Sequence, residues 1–282
     1  MERATAALGL TLLTLARSNS NGSSEYDYSQ KGKNFGEIDA RCNGYLQSPI
    51  RLETKTSVSP TESPQLILEG YAMNPAQVVV LNDGKTASYS FQYANDRNIV
   101  ARGGPLHGNY VFAGLHFHWG THSHRGAEHK VDRLTYAAME MHLVFFNQRY
   151  GSFENAQNKT HGLAVLGVLF CRKLIRDPHY RWIDALNRVQ NAPSTYTLPD
   201  PTAFNIKRLI GSRRRPYFSY QGSLTTPPCH ETVTWIVQKK PLPITENQLN
   251  VFRSLRQTNG EPLVDNYRKL QHRNGRHVYL YQ

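Results

Sequence analysis

The residues best suited to chemistry in this chain are three histidines in two short alternating runs, Leu115-His116-Phe117-His118-Trp119 and Glu140-Met141-His142-Leu143-Val144. Successive side chains of a strand point to opposite faces. His116 and His118 therefore share one face, while Leu115, Phe117 and Trp119 take the other. By the same count His142 shares its face with Glu140 and Val144. Three imidazoles converging from two paired strands make a three-nitrogen zinc (Zn2+) site with the fourth tetrahedral position open. That is the arrangement of a catalytic zinc rather than a structural one. It points to metal-hydroxide chemistry.

The rest of the chain must supply the strands that bring these residues together. Alternation or short apolar runs recur at Gln77-Leu81, Ser88-Tyr93, Gly114-Trp119, Ala138-Phe146, Leu163-Phe170 and Val233-Val237. Turn residues punctuate them, as in Asn82-Asp83-Gly84 and Arg102-Gly103-Gly104-Pro105. Helices are few. Trp182, Ile183, Leu186 and Val189 are spaced for one helical face, and Thr245 with Gln248 three residues later reads as a capping box. Leu249, Phe252 and Leu255 would form the buried stripe of that second helix. The expected fold class is mixed α+β, mainly β: a large central twisted, mostly antiparallel sheet with a few peripheral helices.

Composition sets the class. The 282 residues are 39% hydrophobic and 19% charged, an ordinary globular balance without repeats or low-complexity runs. Residues 1–17 read as a signal peptide: Met1-Glu2-Arg3 is followed by an apolar or small run from Ala4 to Ala16, too short to span a bilayer. No second run has transmembrane length, so a secreted protein is expected, with one domain over residues 26–282. Two sequons, at Asn21 and Asn158, are glycosylation candidates consistent with export. The net charge is +12, densest at Arg213-Arg214-Arg215 with Lys207 and Arg208 upstream. Such a cluster serves either as a solvated rim or as an attraction for acidic matrix or surfaces. No nucleic-acid module surrounds it.

Several motifs together carry a family resemblance. The run from Leu115 to Gly120, then Ala127-Glu128-His129, then Glu140 to Val144, resembles the core of the α-class carbonic anhydrases of the secreted type. So do Gly222-Ser223-Leu224-Thr225-Thr226-Pro227-Pro228 with Thr234-Trp235, Gln47-Ser48-Pro49-Ile50, and Val264-Asp265-Asn266. The resemblance spans about residues 26 to 281. It implies reversible hydration of carbon dioxide to bicarbonate and a proton, with zinc on His116, His118 and His142. The pKa of the zinc-bound water in carbonic anhydrase is established at about 7.

Further roles follow from the resemblance. Thr225 matches a threonine whose hydroxyl accepts from the nucleophile and donates to Glu128, a relay that aims the attack. Glu140 matches the carboxylate that holds His142, and Asn266 a position whose carbonyl holds His118. Gly114 stands where many active members carry a glutamine that orients the first histidine ligand, and glycine has no side chain to do so. Val144, Val165, Leu224, Thr226, Val233 and Trp235 match the substrate pocket. The proton-shuttle position holds Lys85. Lysine side chains ordinarily titrate near ~10.4, too high for an efficient relay at neutral pH. Attenuated shuttling is therefore expected; relay through a rim histidine, His122 or His124, is the minor alternative. Of three cysteines, Cys42 and Cys229 match the disulfide of exported members, which leaves Cys171 as a buried thiol. Sulfonamide and anion inhibitors are expected ligands. The alternative function is that of a catalytically weak extracellular binding or matrix protein of the same fold.

Overall fold

All six runs become strands in the computed structural model, which describes residues 26–133, 137–174, 181–210 and 216–282. They are β1 (Gln77–Asn82), β2 (Ala87–Gln92), β3 (Tyr110–Trp119), β4 (Met139–Asn147), β5 (Leu163–Arg172) and, after β6 (Ser194–Thr197) and β7 (Tyr217–Gly222), β8 (Val233–Gln238). With β9 (Tyr279–Tyr281) they form one sheet in the order β6-β1-β2-β3-β4-β5-β8-β7-β9, and three short strands bring it to twelve. Neighbours pair antiparallel except at β5, which pairs parallel with β8 and with Leu242–Ile244. β5 is buried on both faces through most of its length, which is why its sequence is a continuous apolar run rather than an alternating one.

The sheet separates two cores. Leu115, Phe117 and Trp119 enter the larger one, with Met139, Met141 and Leu143 from the neighbouring strand. Phe117 stacks on Trp182 with centroids 5.1 Å apart and also meets Tyr89 and Phe252. The residue between the two histidines of β3 is thus wedged into aromatic packing. Burying a side chain of this size contributes about 1.5–3 kcal/mol, so the backbone carrying the histidines is firmly seated. Val144, Val165, Val233 and Trp235 line the smaller core on the opposite face.

A β-bulge decides which face the histidines take. Upstream, Tyr110 and Phe112 point into the larger core; downstream, Leu115, Phe117 and Trp119 do. The parity changes between Phe112 and Gly114, where the register against β4 shifts by one residue. Gly114 has a φ of 153°, a backbone that favours glycine. Without the extra residue, one half of the strand would present its polar set to the core.

The helical readings also hold. Arg181–Asp184 is α-helical and continues as a 3-10 turn through Arg188, burying Trp182, Ile183, Leu186 and Val189. Glu246–Arg253 starts on a complete Thr245/Gln248 capping box and buries Leu249 and Phe252, with Leu255 just beyond. β7 was not among the expected strands. Among the described residues no helix is long and apolar enough to cross a membrane. The expected signal peptide, the Asn21 sequon and the Arg213-Arg214-Arg215 cluster lie outside the described residues.

Candidate metal centre and active site

The register sets His116 of β3 directly opposite His142 of β4, with His118 two residues further along the same face. His142 Nδ1 lies 3.1 Å from His118 Nε2 and 3.3 Å from His116 Nε2. Two of the three rings have their other nitrogen fixed. His118 Nδ1 donates to the Asn266 carbonyl at 2.7 Å, and His142 Nε2 donates to Glu140 Oε1 at 2.9 Å. These bonds set the tautomers, so Nε2 of His118 and Nδ1 of His142 present bare lone pairs to the same point. Among the described residues His116 Nδ1 has no such bond. Its ring is held edge-on between the other two, with centroids 5.1 Å from each.

This donor set fits zinc. Zn–N bonds of about 2.0–2.1 Å at tetrahedral angles hold their nitrogens roughly 3.3 Å apart, close to the separations found here. All three donors are imidazoles, and burial followed by the neighbouring histidines pushes His116 well below its ordinary value. His118 is lowered too, by burial first, with Glu128 partly offsetting it. Two ligands held below their ordinary range keep their lone pairs available to a cation.

Glu140 is fully buried, with both oxygens occupied. His129 Nδ1 donates to Oε1 and the His129 backbone N–H to Oε2, each at 2.7 Å. Burial alone would raise its carboxyl, but the His129 and His142 rings outweigh that and hold it well below the usual range. Gly167 makes room for it: a Cβ there would lie 2.9 Å from Glu140 Oε1. Beyond His129 the network continues through Tyr220 Oη, 2.7 Å from His129 Nε2 and 2.9 Å from Ser48 Oγ.

Glu128 has one oxygen committed and one idle. Oε1 accepts from the Arg268 backbone N–H at 2.7 Å. Oε2 is buried, without a hydrogen-bond partner, and 3.6 Å from His118 Nε2. Thr225 is buried, but among the described residues its hydroxyl does not close the expected bond to Glu128. The apolar residues do come together. Val144, Val165 and Trp235 are register partners on three adjacent strands, and Leu224 packs against them; Thr226 is half-buried beside Thr225. The Trp235 ring stands edge-on to His142 with centroids 4.8 Å apart, and its Nε1 donates to the Ser223 carbonyl.

This arrangement of residues has counterparts. Residues 30–282 match the eukaryotic-type carbonic anhydrase family. The chain belongs to the α-class carbonic anhydrases. It is 34% identical to human (Homo sapiens) carbonic anhydrase 3 over 248 residues, 86% of this chain and 92% of that protein. To mouse (Mus musculus) carbonic anhydrase 7 it is 36% identical over 255 residues, 87% and 92% of the two chains. As a carbonic anhydrase it is an enzyme of carbon dioxide hydration with zinc as cofactor.

The remaining sites of this carbonic anhydrase can now be placed. Cys42 and Cys229 form the disulfide, with Cα atoms 5.0 Å apart. Cys171 is free and half-buried, and burial pushes its thiol up. Lys85 holds its ammonium 4.5 Å from the centroid of the Tyr26 ring. His122 and His124 are exposed and stack on each other at 5.4 Å. Asn158 is exposed in the turn after the short helix Phe153–Ala156. Sequence reasoning assigned no role to His129, Tyr220, Ser48, Gln47 or Arg268. Three of them lie inside recognised motifs, and Arg268 falls two residues beyond one, but their partners are too distant in the chain for spacing to reveal.

Proposed function

We propose that the enzyme hydrates carbon dioxide by hydroxide attack guided by a Thr225–Glu128 relay, with slow export of the product proton. The observation that carries this reading is the idle Glu128 Oε2, buried 3.6 Å from a zinc-facing nitrogen. A buried carboxylate oxygen without a donor is costly, and it is tolerable where a hydroxyl comes to it in the working enzyme. Zinc, once held by His116, His118 and His142, supplies the Lewis acidity that makes hydroxide available at neutral pH. Thr225, with its O–H given to Glu128, can only accept from an incoming O–H, and so selects its orientation. The Thr225 backbone N–H meets the substrate oxygen. Val144, Val165, Leu224, Thr226, Val233 and Trp235 form the wall for a substrate that has no charge to grip. Lys85, packed on Tyr26, serves poorly as a relay to bulk buffer.

Export is part of the proposal. It is supported by the apolar start of the chain, the exposed Asn158 sequon and a disulfide of the sort that persists in oxidising compartments. Sulfonamides and small anions would compete at the metal. Stopped-flow hydration with and without zinc chelation, at two buffer strengths, tests the core of this reading. A zinc-dependent rate that climbs with buffer concentration is expected. A rate no higher than background with zinc bound would overturn the hydration reading, and a fast, buffer-independent one would overturn the slow shuttle.

A further inference from the structure

Glu128 and Thr225 sit on loops far apart in sequence, and a relay between them needs both held to one spot. Arg268 reaches the first. Beyond its backbone bond to Glu128, its guanidinium is buried, the residue being 2% exposed. That guanidinium donates to Gln47 Oε1 at 2.8 Å, the Ser48 carbonyl at 3.0 Å and the Cys42 carbonyl at 2.9 Å. It also lies 5.7 Å from the Phe35 ring centroid.

Gln47 reaches the second. It is 3% exposed, and its Nε2 lies 3.2 Å from the Cys229 carbonyl, 2.9 Å from Glu231 Oε1 and 3.1 Å from the Arg41 carbonyl. The adjoining Ser48 exchanges two bonds with Ser223: Ser48 N–H donates to Ser223 Oγ at 2.9 Å, and Ser223 N–H to Ser48 Oγ at 3.0 Å. Ser223 and Cys229 flank Thr225 on either side. The carboxylate and the threonine loop therefore hang from one buried node.

We infer that Gln47 and Arg268 are positioning residues for the Glu128–Thr225 pair, setting the carboxylate from one side and the threonine loop from the other. The inference rests on the relay reading above. Its physical basis is the steep cost of misplacement, since a shift of 1 Å near reacting groups can lose about 100-fold in rate. A buried, multiply bonded guanidinium is a costly way merely to fill space, and a good way to fix relative position.

The test is a double-mutant cycle in the zinc-loaded enzyme. Gln47→Ala and the near-isosteric Gln47→Met are each combined with Thr225→Ala, and kcat/KM is normalised to bound zinc. Gln47 variants should lose roughly 10- to 100-fold in the native background and less than about 2-fold in the Thr225→Ala background, where nothing remains to align. Arg268→Lys, which keeps the backbone donor but cannot span three acceptors, should follow the same pattern. A second readout uses the zinc-free protein. Gln47→Met should speed hydrogen exchange at the Arg268 and Cys229 amides, which bond Glu128 and the Thr226 carbonyl, and leave β4 and β5 unchanged. Equal losses in both backgrounds, or unchanged exchange at both amides, would overturn the inference while leaving the relay standing. If Thr225→Ala alone left kcat/KM intact, the relay reading itself would fall.

Discussion

The proposed slow export of the proton turns on one side chain, Lys85. Its ammonium is spent on the face of Tyr26, and its backbone carbonyl accepts from Asn266 Nδ2, the residue whose own carbonyl fixes His118. Position 85 is thus well anchored, at a place where the proposed relay calls for a group that exchanges protons near neutral pH. Lys85→His should raise kcat at low buffer about 10-fold or more and leave kcat/KM unchanged, because only proton export is affected. Steady-state stopped-flow at two buffer concentrations reads the difference. Thr225 and Glu128 should behave oppositely. Thr225→Ala or Glu128→Gln should cut kcat/KM about 100-fold with zinc content preserved by metal analysis. Loss of zinc in either variant would instead make them structural supports of the metal centre.

Among elements, the segment from Ser223 to Cys229 is tied at both ends: Trp235 and Ser48 bond Ser223 at its start, and the disulfide holds its finish. The disulfide closes a loop of 187 residues, for which chain entropy gives roughly 5 kcal/mol as an upper figure. Reducing it, or replacing both cysteines by serine, should lower unfolding free energy by about 2–5 kcal/mol in a denaturant titration. Hydration activity should fall before global unfolding, since the tether acts on the threonine loop. The sequence made much of this architecture readable. Strict alternation around the histidines, the capping box at Thr245 and the glycine turns are local signals, and each became the expected element. β7 was hidden because Tyr217 to Tyr220 are all buried, aromatic and serine alike, so no period stands out. The parallel pairing of β5 with β8 and the Gln47–Arg268 node depend on partners more than 60 residues apart, where no local pattern carries information.

The whole molecule couples its metal site to its stability. In the zinc-free protein, burial holds His116 well below, and His118 below, the ordinary 6.5. As pH falls through about 6.5 the unfolded chain takes up protons at these positions that the folded chain refuses, so unfolding becomes easier. Glu140 adds to this at lower pH. Burial works to raise its carboxyl, but the adjacent His129 and His142 hold it well below 4.5, so the stability it contributes above that value is lost on acidification. The zinc-free protein should therefore melt at a nearly constant temperature between about pH 7 and pH 8 and at progressively lower temperatures from about pH 6.5 downward. A melting temperature flat from pH 8 to pH 5 would contradict this. The bulge in β3 has a consequence of another kind, for what redesign of this strand would require. Bracing His116 calls for a side chain at position 114, yet the backbone there, at a φ of 153°, suits glycine alone. Removing the bulge to admit that side chain would invert one half of the strand. Neither single change supplies the brace, so restoring it would take a rebuilt strand rather than one substitution.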